Sequence, residues 1–259
     1  MNMAEAVCPH CGGSGWKIVE RGGASGAERC DCRSLDRASL LEERAGIPPL
    51  YRDASFDNFK LPADNPVANK GLAKVLIMVR GFVREFPKLR APGLLLIGTP
   101  GSGKTHLAVA ALRMLMSRGH EGAFIDYQVL LERIRKSYDF DSGSSDRAVY
   151  TTALEAEVLL IDDLGSRRVK DWVEDTMTSI ITDRCNNKKP LIATTNVAEP
   201  AEGDKIMTRD PLNPSITFVA RTLGELIGER ARSRLFEMCQ VVRMPEVKDY
   251  RVHELRKLP

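Results

Sequence analysis

Residues 93–105 read GLLLIGTPGSGKT, and the fold class can be predicted from them. The apolar residues 94–97 predict a short buried strand, and Gly98–Thr105 follows with the pattern G-x-x-x-x-G-K-[ST]. Helix-forming residues then continue to Met116. The motif therefore lies between a strand and a helix, which is the context that a phosphate-binding loop requires. A glycine-rich turn of structural use only is the alternative, and this context disfavours it.

The chemistry of such a loop is specific. Its glycines let the backbone curl around phosphates, and the following helix N-terminus adds a positive dipole end. Lys104 is expected to reach the β- and γ-phosphates of ATP, and Thr105 to bind Mg²⁺ through its hydroxyl. The residues expected to contact the nucleotide through this loop are Gly98, Thr99, Pro100, Gly101, Ser102, Gly103, Lys104, Thr105 and, at its end, His106.

Further strands and helices alternate along the chain. Apolar runs predict strands over 122–126, 158–161 and 191–194. Helical patterns extend over 69–86, from the end of the 122–126 strand to about residue 138, and over 172–185. Alternation of this kind predicts an α/β fold, with a parallel sheet covered by helices on both faces.

Polar residues end two of these strands. Asp162 and Asp163 follow the apolar run 158–161, and Asn196 follows the run 191–194. Asp162 is expected to hold Mg²⁺, and Asp163 to orient or deprotonate the attacking water. Asn196 is placed to hydrogen-bond the γ-phosphate or that water. Taken alone, the Asp-Asp pair reads as a solvated strand end and Asn196 as a turn former; the phosphate loop favours the functional interpretation.

Four of the six cysteines lie in the first 32 residues, as Cys8, Cys11, Cys30 and Cys32. Two close pairs of thiolates are typical of a tetrahedral zinc site, and we predict a structural Zn²⁺ here. Reduced thiols in a flexible tail, and a disulfide or redox pair, are the alternatives. His10 is expected to be a surface residue and not a ligand. A helix over 34–46 would link this module, residues 1–46, to an ATPase domain over 47–259.

The composition bounds the protein class. The 259 residues are 43% hydrophobic and 28% charged, which argues against disorder throughout, and the net charge of +3 requires any DNA contact to come from a local patch. No apolar run approaches a membrane span, and residues 1–7 do not resemble a secretory signal. A cytoplasmic protein without membrane contact is expected.

The chain resembles the AAA+ ATPases, and among them the DnaC/DnaI/IstB group of helicase loaders and transposition helpers. The resemblance covers roughly residues 51–251. Its specific pieces are Tyr51-x-x-Ala-Ser-Phe56-Asp-Asn-Phe59, Gly98–Thr105 with His106-Leu107-Ala108, Leu-Ile-Asp162-Asp163-Leu-Gly165, Thr194-Thr195-Asn196, Gly228-Glu229-Arg230 and Ser233-Arg234-Leu235. It implies an α/β ATPase core with a small, partly helical lid region, and an ATP-dependent homo-oligomer with nucleotide between subunits.

The resemblance also implies residue roles. Asp163 stands where most AAA+ proteins carry Glu, and its shorter side chain implies slow hydrolysis. Asn196 matches the sensor-1 residue, and Arg251 resembles the sensor-2 arginine. Arg234 resembles the arginine finger that enters a neighbour's site, with Arg230 as the runner-up. The other interpretation of these arginines is a basic helix face. His106 is expected to pack or hydrogen-bond structurally.

Two segments carry no clear prediction. The insertion over 198–222 is either a partner loop or a disordered spacer. The cluster Arg167-Arg168-Val169-Lys170 is either a channel loop that contacts the backbone of single-stranded DNA or a solvated face.

The leading functional hypothesis is a DnaC-like, ATP-dependent loader of a replicative helicase onto single-stranded DNA, with the zinc module docking on the helicase. An IstB-like transposition helper that delivers a transposase to DNA is the runner-up. A regulatory module with negligible turnover and a metabolic P-loop kinase are disfavoured, the first by the complete set of site residues and the second by the Asp-Asp pair, which favours water as acceptor.

Overall fold

The computed structural model describes residues 11, 14, 16–21, 24–30, 39–137, 144–166, 171–199, 207–209 and 217–255. The described strands are β1 (Trp16–Arg21), β2 (Ala24–Arg29), β3 (Gly93–Ile97), β4 (Gly122–Asp126), β5 (Val158–Asp162), β6 (Leu191–Thr195), β7 (Met207–Arg209), β8 (Thr217–Val219) and β9 (Cys239–Arg243). The described α-helices are α1 (39–44), α2 (Pro66–Glu85), α3 (Lys104–Ser117), α4 (Tyr127–Lys136), α5 (Ser144–Glu155), α6 (Asp171–Asn186), α7 (Leu223–Ile227), α8 (Glu229–Met238) and α9 (Tyr250–Leu255). A 3₁₀ turn spans Pro49–Tyr51.

Five described strands form one parallel sheet in the order β4-β5-β6-β3-β9. Alternate residues of each strand face opposite sides of the sheet, so β3 contributes to two cores. Leu94 and Leu96 pack with α2 and α3 on one face, whereas Leu95 and Ile97 pack with α4, α6, α7 and α8 on the other. The prediction of a parallel α/β sheet covered on both faces is thereby confirmed.

The strand ends place the polar residues. In a parallel sheet the carboxyl ends of all strands lie at one edge, and β3, β5 and β6 are neighbours in this sheet. The phosphate loop leaves β3, Asp162 is the last residue of β5, and Asn196 follows β6 directly. Crossover helices thus bring together residues up to 92 positions apart.

Residues 42–54, which follow the cysteine region, form hydrogen bonds with the edge strand β4 and with helix α3. The Phe124 N–H of the edge strand β4 donates to the carbonyl of Ala45 at 2.6 Å. Arg113 of α3 forms two bonds with the Glu42 carboxylate, at 3.1 and 3.2 Å, and a third with the Ala54 carbonyl at 2.8 Å. The segment after α1 therefore covers an exposed strand edge and contacts the helix that begins at the phosphate loop.

Several elements were not predicted. They are β1 and β2, α5, β9, and the antiparallel pair β7–β8 within the 198–222 insertion. Arg167, Arg168 and Lys170 lie outside the described residues. No helix in the described ranges is long and apolar enough to cross a membrane.

Candidate ATPase site

The loop between β3 and α3 has the backbone that close approach of phosphates requires. Gly101 and Gly103 have φ values of 73° and 91°, in the left-handed region that favours glycine. A Cβ atom at Gly103 would lie 2.6 Å from the Phe59 ring, and one at Gly101 would collide with Asp249. The loop is therefore lined closely by protein on two sides, and neither glycine tolerates a side chain.

Lys104 is the first residue of α3, and only 5% of its surface is exposed. Its Nζ donates to the Thr99 carbonyl at 2.8 Å and to the Asn196 Oδ1 at 2.7 Å. Burial lowers the pKa of this ammonium, and the carboxylates of Asp163 and Asp162 oppose that shift. The side chain thus arches over the loop toward the end of β6.

Asp162 lies where a P-loop site needs a metal-binding carboxylate. Its Oδ1 accepts from the Thr105 hydroxyl at 2.9 Å and from the Thr194 hydroxyl at 2.6 Å. Burial raises the pKa of Asp162, and these two hydrogen bonds oppose that shift. The Thr105 hydroxyl and the Asp162 carboxylate are adjacent oxygen donors of the kind that Mg²⁺ prefers, so the residues fit this ion.

Asp163 has a φ of 58°, a conformation that Asp tolerates better than most side chains. Its N–H donates to the Thr194 hydroxyl at 3.0 Å, which holds that conformation. Its carboxylate accepts from Asn196 Nδ2 at 2.5 Å. Because Asn196 also accepts from Lys104, one amide joins the loop lysine to the second aspartate.

The C-terminal segment contacts the phosphate loop through residues 249–250. The Tyr250 N–H donates to the Gly101 carbonyl at 3.3 Å, and Asp249 Oδ1 accepts from the Arg251 N–H at 2.9 Å. Arg251 carries a 63% exposed side chain close enough to influence the charge of Lys104. The predicted sensor-2 candidate is therefore near the phosphate loop.

His106 and Tyr51 flank the loop from the N-terminal side. The His106 Nε2 lies 2.8 Å from the Ser55 carbonyl oxygen, and its ring centroid lies 5.4 Å from that of Phe59. These contacts agree with a structural use of His106. The pKa of the half-buried Tyr51 is raised by burial and by the nearby Asp162. Tyr51 was quoted only as part of a motif, and its place beside the site was not predicted.

The two candidate finger arginines lie away from this cluster. Arg230 and Arg234 are exposed, one turn apart on α8, and Arg234 Nη1 donates to Glu237 at 2.7 Å. The fold thus brings Lys104, Thr105, Asp162, Asp163 and Asn196 together and leaves Arg234 outside.

The cysteines are only partly described. Cys11 and Cys30 are placed, whereas Cys8, His10 and Cys32 lie outside the described residues. The antiparallel pairing of Trp16 with Arg29 means that the Cys11 and Cys30 ends of β1 and β2 meet at one end of the hairpin. Among the residues that the structure places, no group of three or more His, Cys, Asp or Glu is arranged to hold a metal. The zinc prediction therefore stays a prediction.

Comparison with known proteins agrees with this geometry. Residues 86–211 match the family model described as IstB-like ATP binding protein. The chain is 26% identical over 180 residues to the replicative helicase loader DnaC of Escherichia coli K12, covering 68% of this chain and 70% of that one. It is 27% identical over 197 residues to the phage-like element PBSX protein XkdC of Bacillus subtilis 168, covering 71% and 70%.

A solved structure extends the match. The crystal structure of the DnaC helicase loader is 31% identical, with a TM-score of 0.58, and the match covers 76% of this chain and all of that chain. A structure of DnaI, 20% identical with a TM-score of 0.52, shares the fold. The fold and site define a P-loop ATPase of the AAA+ class. Within that class, the chain belongs to the DnaC/IstB group.

Proposed function

We propose that this chain is a DnaC-like loader that uses ATP to place a replicative helicase on single-stranded DNA. The observation that carries the proposal is the match to the DnaC helicase loader structure over the whole of that chain, at 31% identity. The second support is a phosphate site in which the side chains of Lys104, Asp163 and Asn196 converge. The helicase, the DNA and the oligomer described below are parts of this proposal.

The proposed division of labour in ATP hydrolysis follows the contacts. Gly98–Gly103 surround the phosphates with backbone, and Lys104 places one positive charge on the β- and γ-phosphates. Asp163 orients the attacking water and accepts its proton, while Asn196, which donates to Asp163 at 2.5 Å, fixes that carboxylate. Arg251, in the C-terminal segment, supplies a further positive charge beside the phosphates.

Magnesium has a defined place in this scheme. The Thr105 hydroxyl and the Asp162 carboxylate would hold the ion. When bound, Mg²⁺ neutralises charge on the β- and γ-phosphates. The Thr194 hydroxyl, which donates to the Asp162 carboxylate at 2.6 Å, would keep that carboxylate in position for the ion.

Arg234 completes the site of a neighbouring copy in our proposal. Its side chain is 45% exposed and donates to Glu237 on the same helix, not to the residues of its own phosphate site, so we assign it to the nucleotide of the neighbour. An arginine supplied across an interface stabilises the transition state of phosphoryl transfer. The proposal therefore requires an ATP-dependent homo-oligomer.

The zinc module remains part of the proposal. The hairpin geometry favours it, because antiparallel pairing brings together the ends of β1 and β2 that lead to Cys11 and Cys30. Two close pairs of thiolates in the sequence match a common tetrahedral zinc arrangement. A bound metal would then supply much of the folding free energy of this small unit, which we propose docks on the helicase.

A transposition helper of the IstB type is the second candidate, favoured by the description of the matching family model. A pull-down with this protein as bait distinguishes the two. We expect the host's replicative helicase to be retained with wild-type protein and ATP, and to be lost with Lys104→Ala. Retention of a transposase in the same ATP-dependent way would replace the loader with the helper.

A further inference from the structure

Glu199 is a buried carboxylate that the motifs do not include. Its side chain is 1% exposed. Its Oε1 accepts from the Leu223 N–H at 2.8 Å, and its Oε2 accepts from Arg232 Nε at 2.8 Å and Nη2 at 2.7 Å. A buried charge with these partners is fully compensated, and the removal of either partner would leave a charge without its counterpart.

These bonds join three elements. Glu199 lies three residues after Asn196, Leu223 is the first residue of α7, and Arg232 lies in the middle of α8. One carboxylate therefore ties the segment that carries the sensor-1 candidate to both helices of the following pair.

Packing beside the site makes this connection stiff. A Cβ atom at Gly165, just after the Asp162-Asp163 pair, would lie 3.0 Å from Leu223 Cδ1 and 3.5 Å from Leu226 Cβ. One at Gly228, between α7 and α8, would lie 2.5 Å from Glu174 Cγ. Helix α7 thus packs against the turn after β5, and the junction between α7 and α8 lies against the Glu174 side chain of α6.

The rotation of α8 about its own axis decides where Arg234 points. Ala231 and Leu235 are buried in the core, and Arg232 is held by Glu199, with its guanidinium 4.9 Å from the Phe236 ring centroid. Arg230 and Arg234 consequently lie on the outer face. Loss of the Arg232 anchor would let α8 shift while its apolar face stayed in the core.

From this geometry we infer that Glu199 and Arg232 are positioning residues, which couple the end of β6 to α8 and aim Arg234 at the nucleotide of the neighbouring subunit. The inference rests on the proposed role of Arg234 in trans. The hydrogen bonds of Glu199 run to the start of α7 and to Arg232 of α8, so we assign both residues an action through the orientation of α8.

The Glu199→Gln variant tests the inference first by kinetics. Glutamine keeps the shape and the bond from Leu223 but removes the charge that holds Arg232. We expect the ATP dissociation constant and KM to stay within about threefold and kcat to fall about 10- to 100-fold, the scale of an angstrom-sized misplacement. Glu85→Gln, which alters an exposed ion pair on α2, is the matched control and should keep wild-type kcat.

Subunit mixing separates a positioning role from general loss of structure. Glu199→Gln subunits are dissociated and reassembled with Lys104→Ala subunits, which lack a working phosphate loop but keep α8 intact. If Glu199 acts through the finger, mixed interfaces contain one intact site and one intact finger, and activity returns. Reassembly with Arg234→Ala subunits should restore nothing, because both partners then lack a working finger.

The reverse pattern overturns the inference. Rescue by Arg234→Ala, or no rescue by Lys104→Ala, would mean that Glu199 serves the site of its own chain. Wild-type kcat in Glu199→Gln would also overturn it. The control mixture of Arg234→Ala with Lys104→Ala reports on the proposed function separately: if it stays inactive although both variants oligomerise, the trans role of Arg234 falls and the inference falls with it.

A folding defect is handled with a second variant. Thermal unfolding of Glu199→Gln is compared with wild type, and if the variant does not fold, Arg232→Gln is carried through the same mixtures. That variant leaves the acceptor of the Leu223 N–H in place and removes the guanidinium that bonds Glu199, together with its contacts to Glu229 and Phe236. The same pattern of rescue is expected, and its absence would count against the inference.

Discussion

The Nζ of Lys104 lies 2.7 Å from the Oδ1 of Asn196, which joins the first residue of α3 to the residue after β6. The same amide donates to Asp163 at 2.5 Å. Three residues that the sequence separates by up to 92 positions therefore form one continuous polar chain at the edge of the sheet. The phosphates of ATP would contact this polar network at Lys104, and the attacking water would be activated at its other end, at Asp163.

Replacement of Lys104 by alanine should abolish tight ATP binding. Hydrogen bonds to a charged group contribute about 1.5–3 kcal/mol, so the dissociation constant should rise at least about 10- to 100-fold. Equilibrium binding of a fluorescent ATP analogue measures this. Lys74→Ala, on the outer face of α2, is the matched control and should bind as wild type. Unchanged affinity in Lys104→Ala would show that the phosphates bind elsewhere.

Asp163→Asn should separate binding from hydrolysis. Asparagine keeps the size of the side chain but cannot accept the proton of the attacking water. ATP affinity should change little, while steady-state phosphate release should fall about 10²- to 10⁴-fold, the usual contribution of a general base. If turnover in Asp163→Asn equals that of wild type, water activation belongs to another residue.

The purified chain should contain about one zinc per molecule. Cys30→Ser and Cys8→Ser should each lose the metal and retain ATP binding, because the phosphate site lies on the sheet and not in the N-terminal module. Elemental analysis of protein purified without chelators gives the zinc content. Cys185→Ser, which removes a thiol on α6, serves as the control and should keep the metal. Wild-type protein without zinc would contradict the module as proposed.

Arg184 should be among the residues most sensitive to substitution for stability. It is fully buried, and burial lowers its pKa to about 10. Its guanidinium donates to the carbonyls of Ala153, Ala156, Glu157 and Pro190, which end α5 and precede β6. Arg184→Met leaves these acceptors without that donor, so the free energy of unfolding should fall by about 3 kcal/mol or more.

Thermal unfolding checks that figure. A loss of this size corresponds to roughly 6–12 °C in Tm for a domain of this length. Arg84→Met, at an exposed position on α2, should change Tm by far less. Equal shifts in the two variants would mean that the carbonyl contacts of Arg184 contribute little.

The elements that the sequence predicted are those with a local signature. Buried strands such as β3 and β5 read as apolar runs, and the glycine pattern identified the loop between β3 and α3. By contrast, β9 reads CQVVR, and only Cys239 and Val242 are buried, so this strand shows neither an apolar run nor a strict alternation. Strand β2, ASGAER, has little intrinsic strand preference, and it is extended because it pairs with β1.

Among the site residues too, those with a local sequence signature were predicted and the others were not. Lys104, Asp162, Asp163 and Asn196 were predictable because each lies at a strand end or within a motif. Glu199 and Arg232 are 33 residues apart, and no periodicity connects them. Asp249 contacts Gly101 only because the chain returns to the loop after β9. Contacts of this kind depend on three-dimensional packing and leave no local pattern.

A helicase-loading assay tests whether this protein places a replicative helicase on single-stranded DNA. A replicative helicase, this protein, ATP and a circular single-stranded DNA are combined, and the helicase that remains on the DNA after gel filtration is quantified. We expect wild-type protein with ATP to raise the amount of DNA-bound helicase, and Lys104→Ala not to do so. Equal helicase on the DNA with and without this protein, at protein concentrations that saturate the helicase, would contradict this expectation.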